Sequence, residues 1–159
     1  MKIEPDKKFM RLAIKEARKN LEILEGGPFG ACIVREGKVL AVARNTVLKT
    51  DATAHAEINA IKKASKKLKT FDLSGCQIYS TTEPCPMCFS AIHWARIDTV
   101  VFGTAISDAK MIGFNELAIT NETIKRIGRV SVDLYPYFMR VDCKKMFDDW
   151  NCLENKKLY

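Results

Sequence analysis

No run in this chain comes near the roughly eighteen consecutive apolar residues of a membrane-spanning helix, and the N-terminal residues lack the apolar core of a secretory signal. A second Cys-x-x-Cys pair is also missing. Beyond Cys85 and Cys88, the cysteines at 32, 76, 143 and 152 are scattered through apolar surroundings, which excludes a zinc ribbon closed by two such pairs. No low-complexity linker or internal repeat divides the 159 residues, so one domain over 1–159 is expected, large enough to build its core without staples. These absences suit a cytoplasmic protein whose thiols stay reduced.

What is present is a donor set. His55-Ala56-Glu57 is followed by Pro84-Cys85-Pro86-Met87-Cys88. If Pro86 opens a helix, where its missing N–H costs nothing, Cys85 and Cys88 point to the same side of the first turn. The unpaired N–H groups and dipole at that end favour thiolate and help a metal displace protons. His55 adds a neutral imidazole nitrogen, giving three protein ligands to one Zn2+ per chain: His55, Cys85 and Cys88. A fourth tetrahedral position is left for water, whose pKa a zinc ion lowers from about 15.7 towards roughly 7. Glu57, beside the metal without ligating it, is placed to move the proton of that water. A redox Cys-x-x-Cys would leave His55 and Glu57 without a purpose.

The net charge of +7 invites an anionic partner. Much of it lies in Lys62, Lys63, Lys66, Lys67 and Lys69, opposite Ile58, Ile61, Ala64 and Leu68 at helical spacing, and no aromatics interleave. A solvated helix face explains this run better than a nucleic-acid patch. The periodicity elsewhere predicts a first helix through Phe9, Met10, Ala13, Ile14, Ala17, Leu21 and Leu24, broken at Gly26-Gly27-Pro28. Strands are expected at 30–35 and 39–44, joined by Glu36-Gly37-Lys38, then at 76–81, 99–103 and 130–134. A closing helix is expected over about 138–152. Alternation of this kind implies an α/β fold, a mixed sheet with helices on both faces and both metal motifs at helix starts.

His-x-Glu with Pro-Cys-x-x-Cys is the signature of zinc-dependent nucleobase deaminases. The chain resembles the cytidine deaminase superfamily along nearly its whole length, and within it the small bacterial-type guanine deaminases. The likeness is carried by Gly26-Gly27-Pro28-Phe29-Gly30-Ala31, Asn45, Thr53-Ala54-His55-Ala56-Glu57, Glu83-Pro84-Cys85-Pro86-Met87-Cys88, Ala91-Ile92-His93-Trp94-Ala95-Arg96 and Asn155-Lys156-Lys157-Leu158-Tyr159. The resemblance implies a three-layer α/β/α fold around a central mixed sheet and hydrolytic deamination of a free purine base, guanine to xanthine plus ammonia. It also implies a homodimer whose C-terminal segment, about 138–159, is swapped, so that Tyr159 enters the partner's pocket. By the same resemblance Glu57 is the catalytic acid/base, Asn45 hydrogen-bonds the purine, Phe29 and Trp94 wall the ring, and Glu116 meets its polar edge. Many guanine deaminases look like Gly-Phe-Asp-Asp where this chain has Gly113-Phe114-Asn115-Glu116. The longer carboxylate arm keeps guanosine or another amino-heterocycle open as substrate.

Each binding residue has a plainer reading too. Phe29 and Trp94 are aromatics of a core, Asn45 makes a turn, Glu116 is solvated and Tyr159 is a frayed end. A tRNA adenosine deaminase shares the zinc motif, but the Trp94-Ala95-Arg96 block and the aromatic tail look more like the free-base enzymes, which weighs against nucleic acid as partner. A zinc-stapled RNA-binding module with no activity would have no use for Glu57. No membrane partner is expected.

Overall fold

The computed structural model describes residues 4–159. Helix α1 (Lys7–Arg18) begins behind Asp6, whose side chain accepts the N–H of Lys8, and buries Phe9, Met10, Ala13 and Ala17 at the spacing of one helix face. The expected run to Leu24 is interrupted. A short helix α2 (Asn20–Ile23) follows a break at Lys19, and Leu24 turns left-handed at φ 55°. The cause is Asn20, fully buried, whose amide donates to the carbonyls of Gly27 and Asn45, both at 2.8 Å.

Strands β1 (Gly30–Arg35) and β2 (Lys38–Arg44) form a hairpin across a two-residue turn, with Glu36 and Gly37 at φ 49° and 72° as a type I′ turn demands. Then come α3 (Ala56–Leu68), β3 (Cys76–Thr82), α4 (Pro86–Trp94), β4 (Thr99–Thr104), α5 (Ile106–Met111), α6 (Asn121–Gly128), β5 (Asp133–Tyr135) and α7 (Arg140–Asn151). The sheet order is β2-β1-β3-β4-β5; β1 is antiparallel to both neighbours, while β3, β4 and β5 run parallel. It is the mixed sheet that the alternation of elements predicts.

Period-two alternation divides the core. Ala31, Ile33, Ile78, Val100 and Phe102 pack towards α3 and α4, with Ala60, Phe89 and Ile92, whereas Cys32, Val34, Tyr79 and Val101 meet α1 and α7 through Phe9, Met10, Ala13 and Cys143. Burial of a side chain such as Phe89 or Ile92 is worth roughly 1.5–3 kcal/mol, and it is these that hold α4, and so its metal ligands, on the sheet. Of the α3 lysines, Lys63 and Lys67 donate to the carbonyls of Val42 and Val39, at 3.0 and 3.1 Å. They answer acceptors on the outer strand β2 and blunt that edge.

The last strand and helix are shorter than periodicity predicts. Arg129 at φ 52° and the Val130 N–H on the Lys125 carbonyl end α6 with a reversal that consumes the start of the expected 130–134 strand. Tyr137 and Met139 are left-handed, at φ 62° and 51°, so α7 begins only at Arg140. No helix among the described residues is long and apolar enough to cross a membrane.

Candidate metal centre and substrate cavity

The N-termini of α3 and α4 meet at the end of β3. His55 and Cys85 are the residues capping them, both extended in backbone, and neither side chain caps its own helix. Both face inward instead. His55 Nδ1 stands 3.6 Å from Cys85 Sγ and 3.5 Å from Cys88 Sγ, and the three donor atoms lie within 4.8 Å of one another. A nitrogen at about 2.05 Å and a sulfur at about 2.3 Å from a tetrahedral zinc are themselves about 3.5 Å apart, so the observed edges fit that ion. Pro86 occupies the first helical position, and Cys88 follows in the same turn, fully buried.

Protonation supports the same use. A hydrogen bond from Cys88 pulls the Cys85 thiol down to about 4, while Cys88, which gives that bond and is desolvated, is pushed well up. Burial works against a charged His55, yet the Cys85 hydrogen bond and the Glu57 carboxylate outweigh it and raise the imidazole. One negative charge is thus already resident, and a divalent cation is the partner that would displace the remaining protons.

Glu57 is 6 % exposed. Ser80 Oγ donates to its Oε1 at 2.9 Å, and its Oε2 lies 3.4 Å from Cys88 Sγ. Desolvation raises its carboxyl above the ordinary carboxylate range.

The cavity in front of this cluster has a volume of about 140 Å³ and is lined by Phe29, Asn45, His55, Glu57, Phe114, Glu116 and Tyr159, among others. Buried Asn45 uses Oδ1 to accept both the Val47 N–H, at 3.0 Å, and the Tyr159 hydroxyl, at 2.7 Å. Two donors on one atom fix which way the amide points and leave Nδ2 for a ligand. The Tyr159 oxygen in turn accepts the Gly27 N–H at 2.9 Å, and burial pushes its phenol up, so it remains a neutral donor. A Cβ on Gly26 would collide with the Asn45 oxygens, which is why the 26–28 turn can lie flush against that residue. Glu116 is pushed up to about 7, first by burial and then by the Cys85 thiolate.

Trp94 and Tyr159 take different positions relative to the cavity. Trp94 is 76 % exposed, touches the His93 ring and lies outside the cavity. It falls about 200° around α4 from inward-facing Ile92, so the helix itself turns it away. Tyr159 enters the cavity within the single chain, its ring edge-on to Phe114 at 5.3 Å and its carbonyl accepting the Asn115 N–H at 3.0 Å. Leu158 seats against Gly113, where no Cβ stands in its way. Phe114, Asn115, Thr82 and Glu83 also line the cavity and were not singled out from sequence, though Glu83 adjoins the cysteine motif. Ser80 carries only the signal of a polar residue in an apolar strand.

Residues 3–104 match the family model of the cytidine and deoxycytidylate deaminase zinc-binding region. The chain belongs to this deaminase family. Its relatives include the guanine deaminase of Bacillus subtilis (strain 168), 37 % identical over 152 residues that cover 95 % of this chain and 97 % of that one. The tRNA-specific adenosine deaminase of Buchnera aphidicola subsp. Schizaphis graminum (strain Sg) is 32 % identical and covers 99 % of each chain. Among solved structures, the guanine deaminase from Nitrosomonas europaea superposes with a TM-score of 0.85 at 25 % identity, over 96 % of this deaminase and 88 % of that chain. The chain is therefore a zinc-dependent hydrolytic deaminase with the three-layer fold of its family, and His55, Cys85 and Cys88 are the residues that could hold its zinc.

Proposed function

We propose that this deaminase acts on a free purine base, converting guanine and water to xanthine and ammonia. The observation that carries this reading is the tail. With Tyr159 lodged between Asn45 and Phe114, the cavity is far below the roughly 300–1,000 Å³ of drug-sized ligand sites and suits one small heterocycle rather than a nucleotide held in a stem-loop.

Bound zinc supplies an activated water at neutral pH. Around it the chain's own residues orient and move protons. Phe29 and Phe114 confine the ring, Asn45 Nδ2 donates to an acceptor on it, and ionised Glu116 accepts the N–H groups of its amino edge. Glu57 takes one proton of the attacking water and gives it to the adjacent ring nitrogen, then takes the second from the hydroxyl now on the ring carbon and gives it to the departing amine. The carbon–oxygen bond forms, the carbon–nitrogen bond breaks, and ammonia leaves. Tyr159 keeps bulk water out.

The test is ammonia release by zinc-loaded protein from guanine, guanosine, adenine, cytosine, triazine amines and a tRNA anticodon stem. Guanine should be turned over and the stem left untouched. Inosine in the tRNA with guanine unchanged would replace this reading by that of a tRNA adenosine deaminase.

Glu116 gives the reaction a pH dependence with a definite sign. The carboxyl stays protonated up to about 7, and only its ionised form accepts from guanine's N–H groups. Raising pH through about 7 should therefore raise kcat/KM for guanine, and Glu116→Gln should lower kcat/KM and abolish the rise while zinc content holds. An unaltered pH profile in the variant would show that this carboxylate does not meet the base.

Tail removal separates the two placements of Tyr159. Deleting residues 155–159 should cut turnover on the order of a hundredfold, with zinc retained, because the base loses the group that positions Asn45. Mixing this deletion with a Glu57→Gln chain should restore nothing in verified heterodimers if the tail serves its own chain. Restored activity would establish exchange between subunits.

A further inference from the structure

Glu83 lies two residues before Cys85 at the end of β3, 7 % exposed, with its backbone N–H on the Thr104 carbonyl at 2.7 Å. Its carboxylate faces two helix starts. Oε1 accepts the N–H of Asn121, first residue of α6, at 2.8 Å, and Oε2 accepts the N–H of Ile106, first residue of α5, at 3.2 Å. Fully buried Asn121 answers with its side chain, donating to the Pro84 carbonyl at 2.6 Å.

Those two helices bracket residues 112–120, the segment that carries Phe114, Asn115 and Glu116 into the cavity. Phe114 is anchored by its ring against Phe29, Trp150 and Tyr159 and by its N–H on the Ala109 carbonyl at 3.2 Å, and Asn115 by the Tyr159 carbonyl. Beyond them the segment holds itself weakly: the bonds of Glu116 and Ile119 are to residues two before them. Leu117, Ala118, Ile119 and Thr120 are exposed. The placement of Glu116 over the metal centre therefore depends on the flanking helices, whose starts at Ile106 and Asn121 are received by one carboxylate. Two N–H donors need two acceptor oxygens, and the negative charge suits a pair of helix N-termini. A glutamine would turn an NH₂ towards one of them and leave it unpaired.

We infer that Glu83 is a positioning residue for substrate, fixing Glu116 relative to the zinc ligands through the starts of α5 and α6. This rests on the reading that Glu116 meets the base. Glu83→Gln should raise KM for guanine about tenfold with kcat within about threefold and zinc stoichiometry unchanged. The signature that a general loss of structure would not produce is coupling: in a Glu116→Gln background, adding Glu83→Gln should alter kcat/KM by less than about twofold, because both act through one group. Hydrogen exchange in Glu83→Gln should quicken in residues 112–120 and stay unchanged in β3 and β4. A fall in kcat at constant KM, additive effects, or unchanged exchange would overturn the inference. Should Glu83→Gln not fold, Asn121→Ala removes the Pro84 tie while keeping the backbone donor, and it must show the same rise in KM and faster exchange for the inference to stand. If the wild-type enzyme does not turn over guanine, the functional reading fails, and the exchange comparison still decides whether Glu83 holds this segment.

Discussion

Cys88→Ala should leave a protein that no longer retains zinc and no longer releases ammonia. Cys88 Sγ is 3.5 Å from His55 Nδ1 and fully buried, so no other side chain can take its place as the third donor without moving α4. With two ligands remaining, the ion would be held by an incomplete set, and without it the attacking water returns from a pKa of roughly 7 towards about 15.7. Zinc content should drop well below one per chain and turnover by at least about a thousandfold. Because binding energy at such a site is also folding energy, the melting temperature should fall to that of the chelator-treated wild type. Elemental analysis, ammonia release and thermal melting on the same preparation check this. Full zinc with normal turnover would remove Cys88 from the site.

Glu57→Gln should separate metal binding from chemistry. The amide keeps the shape of the carboxyl and can still accept from Ser80 Oγ, now at 2.9 Å, so zinc content and fold should persist. Turnover should fall by about a hundredfold to ten-thousandfold, the range lost when a positioned general acid/base is removed. Stability moves the other way or not at all. Burial raises the Glu57 carboxyl above its unfolded value, so its contribution to stability is complete below the unfolded pKa and is lost as pH rises through the higher folded one. A neutral glutamine does not titrate, and near neutral pH the variant should melt no lower than the wild type. Near-normal ammonia release from a zinc-replete variant would assign the proton transfer to another group.

The residues that sequence reading located best are those whose function imposes a local rule. Pro86 at a helix start places Cys85 and Cys88 on one turn, and strand alternation at 31–34 and 78–79 divides the two faces of the sheet; both follow from neighbours a few positions apart. Helices α5 and α6 escaped because one is only six residues long and the other buries little besides Asn121, so neither carries a full apolar stripe. Trp94 is the converse case. Its family setting suggests a pocket wall, but the turn of α4 past Ile92 sends it to the surface.

By itself, then, the sequence determined the donor set His55, Cys85 and Cys88, the carboxylate Glu57 beside it, and the mixed α/β architecture that brings them to helix starts. These rest on short spacings, and short spacings survive in one dimension. Only the tertiary structure decided what stands opposite the metal. Tyr159 reaches Asn45 across 114 positions of chain and Glu83 holds Asn121 across 38, contacts that no local pattern encodes. The zinc site of this deaminase is written in motifs, whereas the size of its cavity comes from how the tail and the 112–120 segment fold back upon them.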